Sequence, residues 1–193
     1  MPRVKSFDEN EVLTKATELF WKKGYFDTSI QDLVEHLGLS RSSIYDTYGG
    51  KKELFYKSFA QYRNTNIAGV KEFLASQTSV KNGIRVLFEM GIADSIEDKD
   101  RKGCFVVNTA TELVPGEPEI AKILKENKAI FTTLFYDFLS KGEESGEIAK
   151  GKDLKALANL LFTLFNGIKV VAKMQPNAQE LNDIVKTALT LLD

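Results

Sequence analysis

Two short apolar stripes separated by a glycine constrain the fold of this chain most strongly. The first stripe comprises Ile30, Leu33, Val34 and Leu37 at helical spacing, and the second is centred on Ile44. Gly38 is suited to end the first helix, and Ser40 is suited to cap the start of the next. Two short helices joined by a three- to four-residue turn that contains glycine predict a helix-turn-helix over about residues 29–48.

The rest of the chain also has helical patterning, with glycine and proline at a few breaks and no alternation typical of strands. We therefore predict an all-α protein with a first helix that ends at Gly24. Thr28 and Gln31 form a predicted capping box at the start of the second helix. Later helices are predicted over about 51–76, 79–96, 103–114, 117–142, 152–173 and 177–192. These elements suggest an N-terminal three-helix domain at 1–50 and a larger helical domain at 51–193.

Composition excludes several classes of protein. A net charge of −1 argues against a uniformly basic nucleic-acid binder, so a DNA-binding surface would have to be a local patch. One cysteine and one histidine argue against a disulfide framework and against a metal site of soft ligands. The sequence has no secretory h-region, no long apolar run and no hydrolase or phosphate-loop motif. We expect a cytoplasmic protein with no membrane span, no cofactor and no enzymatic activity.

The third helix has the composition of a DNA-reading surface. An α-helix fits the major groove, where Arg41 can donate to a guanine edge and the small side chains of Ser42 and Ser43 permit close approach. Tyrosine hydroxyls, lysines and helix N-termini suit phosphates. The predicted contacts to double-stranded DNA are Thr28, Ser40, Arg41, Ser42, Ser43, Tyr45, Thr47, Tyr48, Lys51 and Lys52. The alternative is an ordinary three-helix surface, as in an α-helical protein-interaction module that binds no DNA.

The segment from about Phe7 to Phe55 resembles the DNA-binding domain of the tetracycline-repressor (TetR) family. The matching features are the helix end Phe20 to Gly24, Thr28, the turn Gly38-Leu39-Ser40, the pair Ile44-Tyr45, and the helix start with Lys51, Glu53 and Leu54. The resemblance implies a homodimeric transcriptional regulator, typically a repressor. Such a protein binds a (pseudo)palindromic operator and is released by a small-molecule effector bound in the larger domain.

Two C-terminal helices are apolar over more than one face, which suggests burial against a second copy as a four-helix bundle. We predict that the dimer interface contains Leu157, Leu161, Leu164, Ile168, Ile184 and Ala188. The alternative is that both helices close the core of the monomer.

Polar residues among apolar neighbours give candidates for an effector site. Three of them, Asn108, Thr109 and Glu112, lie in the "GCFVVNTATEL" segment, and the others lie in later apolar helices. The complete set is Asn108, Thr109, Glu112, Phe131, Phe135, Phe162, Phe165 and Asn166. The same pattern is also compatible with an ordinary core.

Cys104, the single thiol, begins the "GCFVVN" segment. A helix N-terminus and the neighbouring Arg101 and Lys102 would favour its thiolate. Some TetR-like repressors with a Gly-Cys start to this helix sense oxidants or electrophiles, so the resemblance makes Cys104 a possible redox site. The alternative is a small buried hydrophobe beside Phe105.

Overall fold

A computed structural model describes residues 7–175 and 177–193 of the chain. Those residues form nine α-helices and one 3₁₀ turn and contain no strand, which confirms the predicted all-α class. The helices are α1 (Glu9–Lys23), α2 (Ile30–Leu37), α3 (Arg41–Tyr48), α4 (Lys51–Ser76), α5 (Val80–Glu97), α6 (Phe105–Leu113), α7 (Pro118–Ser145), α8 (Leu154–Met174) and α9 (Ala178–Leu189), and the 3₁₀ turn is Thr190–Leu192. The largest boundary differences are at the ends of α7 and α9, at Ser145 and Leu189 rather than at 142 and 192.

The start of α2 lies one residue later than the sequence pattern predicted. Ser29, not Thr28, is the capping residue: its hydroxyl accepts from the N–H of Asp32 at 3.0 Å, and the Asp32 carboxylate accepts from the N–H of Ser29 at 2.7 Å. A hydrogen bond from Lys23 and those from Ser29 hold the pKa of Asp32 well below its usual range. The predicted capping box of Thr28 with Gln31 is therefore wrong.

Two hydrophobic cores organise the helices. The first joins α1, α2 and α3 to the N-terminal half of α4, to α6 and to the start of α7. The second joins the C-terminal half of α4 to α5, α7, α8 and α9. Phe55 of α4 is central to the first core, with ring centroids 5.1 Å from Phe20 and 5.9 Å from Phe105. The helix-turn-helix is consequently packed on the larger domain through aromatic rings, and the first core continues across residue 50.

Helix α8 is long and apolar enough, by length and composition alone, to cross a membrane. From the sequence, we expected no membrane-spanning segment. Core helices of water-soluble proteins pass the same test. The face buried in the second core carries Leu154, Ala158, Leu161, Phe165, Ile168 and Ala172, and further apolar residues of α8 are exposed. Its hydropathy therefore comes from two apolar faces, of which the monomer buries one.

Candidate nucleic-acid interface and effector cavity

Helix α3 presents one polar face to solvent. Arg41, Ser42 and Tyr45 are exposed, and the Arg41 guanidinium carbon lies 5.9 Å from the centroid of the Tyr45 ring. The Ser40 hydroxyl caps the helix by accepting from the N–H of Ser43 at 3.1 Å. Ser40 is exposed, whereas Ser43 and Thr47 are half-buried. The structure thus brings together most of the predicted DNA-contacting side chains on the first two turns of α3.

Asp46 lies on the same exposed face. It was not among the predicted DNA contacts, because those were chosen for their hydrogen-bond donors. A carboxylate there can accept from the amino group of a cytosine. Its i, i+4 spacing from Ser42 was the sequence signal that could have identified it.

The orientation of Tyr45 depends on Gly50. Gly50 has a φ of 117°, and a Cβ at this position would lie 3.1 Å from Cε1 of Tyr45. Any other residue would combine backbone strain with a close contact to the tyrosine ring. The turn between α3 and α4 therefore packs closely against the Tyr45 ring, and the residue remains 47% exposed.

Two of the residues predicted to contact DNA are buried in the structure. Thr28 is fully buried, and its hydroxyl donates to the carbonyl oxygen of Gly24 at 2.6 Å. Tyr48 is also buried, because its ring packs in the first core beside Ile44. Thr28 fixes the turn after α1, and Tyr48 anchors α3, so neither side chain is presented to DNA.

Both lysines at the start of α4 already have partners. The Lys51 ammonium lies 4.3 Å from the centroid of the Tyr25 ring, and burial lowers the pKa of Lys51. The Lys52 ammonium forms an ion pair with Glu117 at 2.9 Å. That hydrogen bond raises the pKa of Lys52. A phosphate would therefore have to compete with Glu117 for Lys52.

Glu112 of α6 joins the larger domain to the turn after α1, not to an effector. Its carboxylate accepts from the backbone N–H groups of Tyr25 at 3.0 Å and Phe26 at 2.7 Å. Charge-assisted bonds of this kind are stronger than neutral ones. Sequence reasoning assigned Glu112 to the effector site because it lies among apolar neighbours, and that assignment is wrong.

A cavity of about 690 Å³ is lined by residues of the larger helical part of the chain and by Trp21 of α1. Its walls come from α1, α4, α5, α8 and the segment 98–104. Apolar walls include Val70, Phe73, Leu87, Met90 and Phe165, and polar or charged walls include Trp21, Tyr62, Asn66, Asp94, Asp98, Lys102 and Lys169. This volume is typical of small-molecule sites. Trp21 is notable because it belongs to α1 of the helix-turn-helix unit.

Only some of the predicted effector residues line the cavity or the void beside it. Phe165 lines the cavity, and Phe131, Phe162 and Asn166 line a small void that shares Phe165 with it. Asn108, Thr109 and Phe135 line neither space. Asn108 donates to the carbonyl oxygen of Lys102 at 2.7 Å, and Thr109 and Phe135 are buried in packed helices. The cavity walls on α1, α4 and α5 were missed, because no local pattern reports which faces of distant helices converge.

Cys104 is 5% exposed and lines both the cavity and the void. Burial, and then the proximity of the Cys104 thiol, raise the pKa of the Tyr62 hydroxyl. The thiol is therefore buried from bulk solvent and lies on the cavity wall.

The α8 residues predicted for the dimer interface lie on two different faces of that helix. Leu161 and Ile168 are buried in the second core, so they are core residues, and Leu157 and Leu164 pack partly against that core. Ile184 is exposed and Ala188 is half-buried.

The apolar residues left exposed on the C-terminal helices include Leu160, Val171, Met174, Ile184 and Leu191. Leu160, Ile184, Ala188 and Leu191 line a shallow groove of about 760 Å³. This exposed surface, named here the α8–α9 face, is the candidate for a second copy.

No group of three or more histidine, cysteine, aspartate or glutamate side chains able to hold a metal occurs within residues 7–175 and 177–193.

Comparisons with known proteins agree with this architecture. Residues 12–56 match the family model for bacterial regulatory proteins of the tetR family, and residues 82–188 match the tetracyclin repressor-like C-terminal domain. The chain is 36% identical to the uncharacterized HTH-type transcriptional regulator YezE of Bacillus subtilis, over 100% of both chains. It is 31% identical to the HTH-type transcriptional repressor ComR of Escherichia coli, over 98% of this chain and 90% of ComR.

A solved structure extends the comparison to a DNA complex. The TetR family regulator CifR, a cysteine mutant complexed with a 26-bp double-strand operator, has a TM-score of 0.88 and 26% identity, covering 99% of this chain and 100% of CifR. These relatives are regulators of transcription, not enzymes. With its N-terminal and C-terminal parts both matched, the chain belongs to the TetR family of helix-turn-helix, DNA-binding transcriptional regulators.

Proposed function

We propose that this protein is a homodimeric, cytoplasmic repressor that binds operator DNA through α3 and leaves it when a small molecule fills the 690 Å³ cavity. The observation that supports this most directly is the position of Trp21, because a residue of the DNA-binding unit forms part of the cavity wall. A ligand in the cavity would touch the DNA-binding unit without an intermediary.

The contacts of Trp21 suggest how occupancy would be transmitted. Its indole N–H donates to the carbonyl oxygen of Gly103 at 2.9 Å, and the Lys102 ammonium lies 4.8 Å from the ring centroid. Both partners also line the cavity. A ligand that displaces Lys102 or shifts Gly103 would change the position of α1 relative to α6. Coupling needs only a ligand that binds one of these arrangements more tightly, typically by about 1–3 kcal/mol.

On DNA, the exposed face of α3 would lie in the major groove. Arg41 would contact a base edge or phosphate, Ser42 would permit close approach, and Tyr45 would offer its hydroxyl to the backbone. Lys51 and Lys52 would contact phosphates after giving up part of their present contacts. Two such units must be about one helical turn apart, which a dimer formed through the α8–α9 face would provide.

A second function is favoured by the position of Cys104. The thiol lies on the cavity wall beside Tyr62, so a reactive electrophile that enters the cavity could alkylate it. The protein would then be a TetR-type sensor with a covalent trigger, and its operator-binding half would be unchanged.

The experiment that tests the proposal is selection of genomic fragments with purified protein, followed by binding isotherms at several salt concentrations. A repressor of this type binds selected fragments tightly and loses affinity steeply with salt. An α-helical protein-interaction module would select no fragment, and its binding to other proteins would not follow that salt dependence.

A further inference from the structure

A small void adjoins the effector cavity and is named here its inner end, and its chemistry differs from that of the main cavity. A void of about 10 Å³ shares the residues Asn66, Cys104, Phe165 and Lys169 with the main cavity, so the two spaces adjoin. Its other walls include Asn127, which is 3% exposed. A void of this size has room for about one water-sized group. The inner end can therefore accept one oxygen atom of a head group but not a bulky head.

The polar groups of the void are amides and an ammonium. The Asn127 side-chain oxygen accepts from Nε of Arg63 at 3.2 Å, and since a guanidinium can only donate, the remaining polar group of Asn127 is its Nδ2 donor. The Lys169 ammonium lies 4.2 Å from the centroid of the Phe165 ring. Among the described residues that line the void there is no aspartate or glutamate. A donor amide and a cation are thus available where no carboxylate neutralises them.

Carboxylates do occur in the wall of the main cavity. Asp94 and Glu97 are exposed on the last turns of α5, and the Asp98 carboxylate accepts from the N–H of Gly103 at 3.0 Å. Other walls of the main cavity are apolar, with Val70, Leu87 and Phe165 as examples. Acidic residues therefore line the main cavity, whereas the adjoining void is lined by Lys169 and by no carboxylate of the described residues.

We propose that the cavity binds an amphipathic organic anion, with an apolar body in the main cavity and a carboxylate head at the junction with the inner end, where one carboxylate oxygen enters the void and the head is held by Lys169 Nζ and Asn127 Nδ2. This inference rests on the proposed function only in taking the cavity for the effector site. A carboxylate accepts from both groups at once, and such charge-assisted bonds are about twice as strong as neutral ones.

The test uses three compounds with the same body and different heads: 4-phenylbutyrate, 4-phenylbutan-1-ol and 4-phenylbutylammonium. Octanoate and octan-1-ol form a second pair with a different body. Binding to the full-length protein without DNA is measured by calorimetry and by the fluorescence of Trp21, the single tryptophan, which lies in the cavity wall. We expect each carboxylate to bind roughly tenfold or more tightly than its alcohol, and the ammonium to bind most weakly.

Two variants test whether the preference for a carboxylate arises at the inner end of the cavity. Lys169→Met keeps an unbranched side chain and removes the charge, and we expect it to abolish the advantage of the carboxylate while leaving the affinity for the alcohol unchanged. Lys155→Met is the matched control, because Lys155 is an exposed lysine of the same helix and lines neither space. Operator binding by each variant verifies that it is folded.

Equal binding of the three phenylbutyl compounds, a preference for the ammonium, or no binding of any compound would overturn the proposal. So would a carboxylate preference that persists in Lys169→Met. If a carboxylate binds but does not release operator DNA, the anion site is supported and the effector role of the cavity is contradicted. Failure of the anion site and failure of the proposed function are therefore distinguishable.

Discussion

The indole N–H of Trp21 donates a hydrogen bond to the carbonyl oxygen of Gly103 at 2.9 Å, and this bond joins the DNA-binding unit to the residue that precedes Cys104. The two residues are 82 positions apart in the sequence. Together with the bonds from Glu112 to the turn after α1, it forms a polar connection between the domains beside the aromatic core.

We expect Trp21→Phe to weaken that connection. The substitution retains an aromatic ring against Tyr62 and Phe105, whose centroids lie 5.1 and 6.3 Å away, but it removes the donor. The free energy of unfolding should fall by about 1 kcal/mol, which urea denaturation can measure. Hydrogen exchange should increase around residues 102–108 and not in α9. An unchanged stability and exchange pattern would mean that the bond contributes nothing in solution.

Arg41→Ala tests the reading face of α3. We expect operator affinity to fall by about 1–3 kcal/mol and sequence preference to relax at one base pair, because Arg41 is exposed at the start of the helix. Arg85→Ala is the control, since Arg85 is exposed on α5 and pairs with Glu89 at 2.7 Å, on an element that does not adjoin α3. Equal losses in the two variants would contradict the assigned face.

The ion pair of Lys52 with Glu117 predicts opposite effects of two substitutions. Lys52→Ala should weaken binding to all DNA sequences about equally and lower the salt slope by about one unit. Glu117→Gln releases Lys52 for phosphate and should strengthen binding to all sequences. Fluorescence anisotropy with specific and unrelated duplexes measures both. A change in preferred sequence in either variant would make Lys52 a base-reading residue.

The two faces of α8 should respond differently to substitution. Leu160→Glu places a charge on the exposed α8–α9 face, and we expect monomers with poor operator affinity in sedimentation equilibrium. Leu161→Ala removes a buried side chain, so it should cost about 2–5 kcal/mol of stability and leave the dimer intact when folded. Dimeric Leu160→Glu would show that the copies associate elsewhere.

Reagent size tests the access route to Cys104. Because the thiol is 5% exposed and lies on the cavity wall, we expect iodoacetamide to label native protein slowly and a polyethylene glycol maleimide to label it only after denaturation. Intact-protein mass spectrometry gives both rates, with Cys104→Ser as the blank. If iodoacetamide also needs denaturant, covalent sensing by Cys104 is excluded and a non-covalent effector remains.

The fold and the reading helix were predictable because their signals are local. Helical periodicity, Gly38 and Ser40 place α2 and α3 within a few residues, and the exposed face of α3 follows from them. Burial was less predictable: Thr28 fits a surface capping role equally well until the turn after α1 is known. The predicted interface stripe combined neighbouring faces of α8, with Leu157, Leu161, Leu164 and Ile168 as its members. In a helix that is apolar on all sides, the sequence does not indicate which face is buried.

The cavity could not be predicted from local patterns at all. Its walls include Trp21, Tyr62, Lys102 and Lys169, which lie on separate elements and converge only through tertiary packing. Glu112 shows the opposite error, since a carboxylate among apolar residues suggested a ligand and instead bonds the backbone of Tyr25 and Phe26.

The most direct measurement of the central claim is a footprint of the protein on a selected genomic fragment, with affinity determined as salt is varied. We expect two protected half-sites about one helical turn apart, a steep loss of affinity with salt, and loss of protection in Arg41→Ala. No selected fragment, or binding that is indifferent to salt and to Arg41, would contradict it.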